Sequence, residues 1–192
     1  MNDVTFLLHF VTYWGLIGYY GKPEKKGYKE ACYASVKNQI FILYPSLWVL
    51  FKMYPFVKDN VLESLCLVPF HILMVDVWFY LSHRLAHTKW LWKYHKMHHT
   101  YPIHIATALD GGFLEHFFVN QLSVVMGPLL IAYMGYTMNV YVFIWWVTFT
   151  TWNNCLAHLE NSVHHHHHHT YLKCNYGNGL YVMDRLFGSF QN

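Results

Sequence analysis

The sequence predicts an all-α integral membrane protein, a helical bundle with a cytoplasmic His-rich helical cap that holds a dinuclear metal site. Three observations carry that expectation. Of the 192 residues, 55% are hydrophobic and only 12% are charged, whereas a soluble domain carries about a quarter charged residues. Aromatic residues make up 20%, and Trp and Tyr favour membrane–water interfaces. There are also 16 histidines, most of them in two polar stretches that alternate with apolar ones.

The elements follow in order. Residues 5–20, TFLLHFVTYWGLIGYY, form a first apolar helix that is short for a full crossing. Asp3 stands where a signal peptide carries positive charge, so this helix reads as retained. A Lys-rich stretch precedes a second apolar segment, 38–51, and KMYPFVKDN reads as a turn. The third segment, 61–82, contains Pro69, which is expected to kink it. Residues 83–116 are too polar to span. MGYT at 134–137 divides the next apolar region into helices 117–133 and 138–152, and a polar, His-rich tail follows. The absence of any tandem repeat excludes a solenoid, and the length fits a single domain over residues 1–192.

If all five apolar segments cross, the stretches 21–37, 83–116 and 153–192 share one face. Eleven of the 13 Lys and Arg residues lie there, and only Lys52 and Lys58 fall in the opposite loop. The positive-inside rule makes that face cytoplasmic, and both His-rich regions emerge on it. A net charge of +3 without a basic block gives no footing for nucleic acid, so the partner implied by composition is lipid. Cys32, Cys66, Cys155 and Cys174 show no CxxC pairing and read as reduced thiols that bind no metal.

Three histidine clusters stand out. SHRLAH places His83 and His87 at i and i+4, and YHKMHH places His95, His98 and His99 in the pattern HxxHH. The run 164–169 looks like a purification tag, yet it lies inside the chain and repeats that spacing in His165, His168 and His169. Positions i, i+3 and i+4 share a helix face with β-carbons about 5–6 Å apart. Eight such imidazoles exceed one tetrahedral site and suit two metals with about four nitrogens each. Imidazole leaves iron, zinc, copper and nickel all open. The Glu and Glu-x-x-His pattern of carboxylate di-iron bundles is missing. His166 and His167 point away from the shared face and His164 reads as incidental, while the isolated His9, His71 and His104 read as hydrogen-bonded or interfacial.

DVWFYLSHRLAHTKWLWKYHKMHH sets an acidic residue and aromatics before HRxxH and then HKxHH; HHHHHTYLKCNYGNGLYVMDRLFGSF sets HxxHH before NYG and D-x-L-F-G-[ST]. From Asp76 to the C-terminus this combination resembles the fatty acid hydroxylase / sterol desaturase superfamily of membrane oxygenases. The resemblance implies that His83, His87, His95, His98, His99, His165, His168 and His169 ligate two iron ions. His158, in NNCLAHLEN, corresponds to a further family histidine. It also implies an endoplasmic reticulum enzyme that takes O2 as co-substrate and hydroxylates or desaturates a sterol, sphingoid base or fatty acyl chain. Electrons would come from an external b-type cytochrome and its reductase. One departure is ALDGGFLEH, where relatives carry His-Pro and this chain has Gly112-Phe113. The role of that histidine is then missing or taken by His116 or His104.

In the tail, Asn175, Tyr176 and Gly177 read as a turn, with Gly177 and Gly179 able to take positive φ. Asp184 and Arg185 read as a pair or as contacts that orient imidazoles. Two rival functions stand beside the oxygenase. A zinc hydrolase would need Glu115, Asp110 or Glu160 as general base. A non-enzymatic metal-binding or transport protein would use ionisable groups within the spans, here Glu63, His71 and Asp76.

Overall fold

A computed structural model describes all 192 residues, and the chain is mostly helical with almost no sheet. Helix α1 (Asn2–Tyr20) is followed by α2 (Tyr28–Asn38), which runs through a wide π turn at Gln39–Leu43 into α3 (Tyr44–Met53). The expected kink at Pro69 is a break. Helices α4 (Val61–Cys66) and α5 (Val68–Ala86) are separated at Leu67, and Pro69 sits in the first turn of α5, where its missing N–H leaves no bond unmade. A short α6 (Trp92–His95), a 3₁₀ turn at Ile105–Leu109 and α7 (Phe113–Glu115) fill the polar stretch. A second π turn, His116–Gln121, leads into α8 (Leu122–Tyr133). Helices α9 (Val140–Ala157), α10 (Val163–Tyr171) and α11 (Val182–Leu186) complete the chain.

One pairing was not visible in the sequence. Strand β1 (Phe56–Val57) pairs in parallel with β2 (Met138–Asn139), joining the loop after α3 to the loop before α9. Asn139 completes this corner: its N–H donates to Ser64 Oγ at 2.8 Å, and its side-chain oxygen caps α9 by accepting the N–H groups of Tyr141 and Val142.

Packing follows from small residues and freed carbonyls. A Cβ on Gly127 of α8 would lie 2.6 Å from His71 Nδ1 and 3.0 Å from its Cα, so glycine lets α8 close on α5. Pro128 cannot donate to the Val124 carbonyl one turn earlier. Trp146 Nε1 donates to that carbonyl instead, at 2.9 Å, and ties α9 to α8. The main core lies here, around Leu43, Leu47, Ile131, Phe143 and Trp146. A second core, with Tyr13, Ile105, Ala106, Leu109 and Cys155, underlies the His-rich end.

Two stretches, Val61–Ala86 and Phe113–Tyr133, are long and apolar enough to cross a membrane; 5–20, 38–51 and 138–152 do not meet that standard. Only 33% of each stretch's most apolar window is buried, so Leu62, Leu81, Leu85, Phe113 and Phe118 face outward, unlike the core helix of a soluble protein. The second stretch begins at Phe113 rather than 117 and so takes in Glu115 and His116. The four cysteines are unpaired.

Candidate metal centre

Nine imidazoles converge in two groups. His83, His87, His95, His99 and His168 form one and His98, His158, His165 and His169 the other, and within each group the ligand atoms lie within 4.8 Å of one another. These are the nine histidines singled out in the sequence. Helix α5 delivers His83 and ends at His87; α6 ends on His95, and the turn after it carries His98 and His99. His158 caps α9, and α10 supplies the last three. Each HxxHH box is divided between the groups: His95 and His99 part from His98, and His168 parts from His165 and His169.

The other histidines stay outside. His166 is exposed, His164 Nδ1 lies 3.2 Å from the Gln191 carbonyl, and His167 packs on Tyr171. His104 and His116, the possible substitutes for the histidine missing at Gly112, join neither group. His9 and His71 are likewise absent from both.

The ring contacts fix where the lone pairs point. His83 Nδ1 lies 2.7 Å from the Tyr176 carbonyl, His168 Nδ1 2.8 Å from that of Cys174, and His158 Nδ1 2.8 Å from that of Asn154. A carbonyl only accepts, so each Nδ1 carries the hydrogen and each Nε2 an inward lone pair. His95 Nδ1 faces Glu115 Oε1 at 3.1 Å and His98 Nδ1 faces Asp110 Oδ1 at 3.1 Å. Yet His83 Nε2 stands 3.1 Å from His95 Nε2. Two lone pairs repel at that distance, and a cation between the rings turns the repulsion into ligation. The donor set therefore fits metal ions, with carbonyls and carboxylates on the outer nitrogens as in other His–metal sites.

Burial keeps most of these rings neutral, the form that ligates. It pulls His95 down to about 2 and His87 and His158 down to about 3, with the surrounding imidazoles adding to the shift. His98 goes the other way: burial lowers it, but the Asp110 hydrogen bond and the charges of Glu115 and Asp110 together outweigh burial.

The tail braces this arrangement. Asp184 is fully buried; its carboxylate accepts the N–H of Tyr176 at 2.8 Å, the N–H of Gly177 at 2.6 Å and the Ser189 hydroxyl at 2.8 Å. Asp76 of α5 accepts the N–H groups of Tyr181 at 2.8 Å and Met183 at 3.0 Å. The two carboxylates hold residues 176–183 against the bundle, so that the Cys174 and Tyr176 carbonyls meet His168 and His83. The sequence reading gave Asp76 no such role. Its position seven residues before His83, on the same helix face, was the available signal.

Two tail expectations change. Asp184 does not pair with Arg185, which donates to the Leu180 carbonyl at 2.6 Å and lies 4.2 Å from the Phe190 ring centre. Gly179 takes positive φ, +124°, but Gly177 does not; Asn175 does, at 51°. Gly177 is needed for close approach, since a Cβ there would lie 2.8 Å from Asp184 Oδ2.

The carboxylates weighed as general bases are engaged elsewhere. Glu160 sits at the surface between Lys22 at 2.8 Å and Lys25 at 2.7 Å, and the lysines hold its carboxyl down at about 2. Asp110 and Glu115 face imidazole Nδ1 atoms; Asp76, weighed as an ionisable group of a transport path, binds the tail.

Two cavities approach the centre. The first, of about 340 Å³, is walled by α1, α5, α8 and α9 and has Phe79, His116, Trp146 and Asn154 in its wall. The other, of about 510 Å³, is an apolar cleft along α5 lined by Trp78, Leu81, Leu85 and Phe118 that reaches His95 and Glu115.

The chain is similar to an ornithine lipid hydroxylase of Rhizobium tropici, 26% identical over 139 residues, which cover 63% of this chain and 40% of that protein. It is also similar to a Delta(7)-sterol 5(6)-desaturase of Schizosaccharomyces pombe, 24% identical over 168 residues, 75% of this chain and 52% of the relative. The chain thus spans about half or less of the length of these relatives. No solved structure matches it. The profile of the family described as fatty acid hydroxylase matches residues 68–189, from the first turn of α5 to Ser189 beyond α11, and by that match over most of its length the chain belongs to the fatty acid hydroxylase family.

Proposed function

We propose that the protein is a membrane-bound, non-haem di-iron oxidoreductase that uses O2 to hydroxylate or desaturate a lipid. Family membership and the names of the two relatives described above support the lipid chemistry. The observation that carries the reading is the convergence of nine imidazoles in two groups, with the Nε2 lone pairs of His83, His158 and His168 turned inward. In this reading His83, His87, His95, His99 and His168 hold one iron, and His98, His158, His165 and His169 hold the other. Bound iron would supply the activation of O2 and the oxidising power toward an unactivated C–H bond.

The chain's own residues do the rest. The Tyr176, Cys174 and Asn154 carbonyls and the Asp110 carboxylate hold His83, His168, His158 and His98 in the ligating tautomer, and the Glu115 carboxylate faces His95 Nδ1. Burial of His83, His95, His165 and His168 at or below 1% exposure excludes water from the centre. The cavities bring an apolar chain to it. We further propose one multi-pass domain over residues 1–192, the His-rich face in the cytoplasm at the endoplasmic reticulum, and an external b-type cytochrome with its reductase as electron donor. The substrate is a sterol, sphingoid base or fatty acyl lipid.

The test is elemental analysis of detergent-purified protein from iron-replete cells, prepared without a nickel column, followed by turnover with a cytochrome donor. The expected result is about two irons per chain and O2-dependent lipid oxidation. Zinc at that level with no activity after iron reconstitution would favour the hydrolase. No stoichiometric metal would overturn the reading.

A further inference from the structure

The cavity walled by α1, α5, α8 and α9 changes character along its length. Its wall is apolar at Leu47, Ile72, Val124, Trp146 and Val147, and polar at His9, His116, Gln121, Thr151, Asn154 and Asn178. The helices give the direction of that gradient. On α9, Asn154 stands one turn before His158 while Trp146 stands about three turns before it; on α5, Phe79 stands one turn before His83 and Ile72 about three. Asn154 also receives His158 Nδ1 on its carbonyl at 2.8 Å. His116 follows Glu115, the partner of His95. The polar end therefore lies toward the two imidazole groups, and the apolar end lies away from them.

That polar end is short of partners. Both ring nitrogens of His116, both amide atoms of Gln121, Asn178 Oδ1 and His9 Nε2 are buried without a protein hydrogen bond. Buried polar groups are normally paired, and four unpaired ones on one wall call for a ligand. The π turn at His116–Gln121 sets both of its terminal side chains in the same cavity wall. The protonation of His9 is defined by its neighbour. Thr151 Oγ1 donates to the Val147 carbonyl at 2.8 Å, so it accepts from His9 Nδ1–H at 2.6 Å and leaves His9 Nε2 as an acceptor. A hydroxyl both donates to such an acceptor and accepts from the Gln121 amide. No Asp, Glu, Lys or Arg lines the cavity, so a carboxylate or phosphate would be buried there without a countercharge.

We propose that this cavity binds an amphipathic lipid with its hydroxyl between His9, His116 and Gln121 and its hydrocarbon tail toward Trp146. Combined with the oxygenase reading, on which only this step rests, the oxidised carbon lies within a few bonds of the hydroxyl-bearing end and not in the distal tail.

The test uses hexadecanol and the full chain in detergent, with no metal, O2 or electron donor. Tryptophan quenching is read with bromine placed either on the terminal carbon or beside the hydroxyl, and Trp146→Phe and Trp78→Phe separate the two cavities. Terminal bromine should quench Trp146, and bromine beside the hydroxyl should not. Hexadecane should compete about tenfold less well than hexadecanol, a comparison that needs no variant. The double variant His116→Phe, Gln121→Leu should shrink that gap severalfold. Stronger quenching of Trp146 by bromine beside the hydroxyl, quenching of Trp78 alone, or equal competition by hexadecane would overturn the proposal. A protein that bound the alcohol as described but oxidised no lipid would overturn the oxygenase reading and leave this orientation standing.

Discussion

Asp184 and His83 act on one another through a single residue: Tyr176 gives its N–H to Asp184 Oδ1 at 2.8 Å and takes His83 Nδ1 on its carbonyl at 2.7 Å. The carboxylate fixes the ring without touching it. Asp184→Asn replaces one accepting oxygen with a donor that, in either orientation of the amide, faces a backbone N–H of Tyr176 or Gly177. Metal held by the His83 group should weaken by about 10–100-fold while the other group changes less, measured by chelator competition on protein shown to be folded. Equal weakening of both groups would mean that Asp184 serves general folding rather than His83.

Within the run, the helix decides which residues matter. His168→Ala should remove metal from the His83 group, and His165→Ala should remove it from the His98 group. His166→Ala, at an exposed ring, should leave both metals and activity intact. A comparable metal loss in His166→Ala would contradict the register of α10.

The histidine spacing made it legible which rings share a helix face, and His158 entered only through the family's pattern. The division of each HxxHH box between two groups was not legible. It depends on where α6 and α10 lie relative to α5, and that is set by long-range contacts such as Asp76 with Tyr181 and Asn38 with the Leu109 carbonyl. Apolar runs marked the helices, but a two-residue strand pair like β1–β2 is too short to leave a pattern. The tail was misread at Arg185 because adjacent opposite charges say nothing of burial, and burial turns Asp184 toward backbone N–H groups.

Glu115 and Glu160 should separate in mutants. Glu160→Gln breaks exposed, screened ion pairs with Lys22 and Lys25 and should cost at most about 1 kcal/mol, with metal content unchanged. Glu115→Gln removes the charge facing His95 Nδ1 and should lower metal affinity or turnover about tenfold or more. Hydrolysis that depended on Glu160 would revive the zinc reading.

Acid should destabilise the metal-free protein. His87 and His158 titrate at about 3 and His95 at about 2 in the fold, against 6.5 for an ordinary histidine. Below about pH 6.5 the unfolded chain binds more protons than the folded one, so stability falls progressively as the pH drops toward 3. It should be flat above about pH 7.5, where neither state is protonated at these rings. Bound metal should raise the unfolding temperature most at neutral pH and least in acid, because protons compete for the same nitrogens. Thermal unfolding of chelated and metal-loaded protein across this range checks both slopes.

Six identical side chains in a row become unlike once α10 winds. His165, His168 and His169 turn inward, His164 reaches the tail, and His166 is left as the exposed ring of the run. Stretched out, the same six rings would all reach a nickel ion on a resin; wound, they present hardly a single free pair. The native protein should therefore pass through an immobilised-nickel column that retains its denatured form, and affinity for the resin becomes a gauge of how much of a preparation is folded.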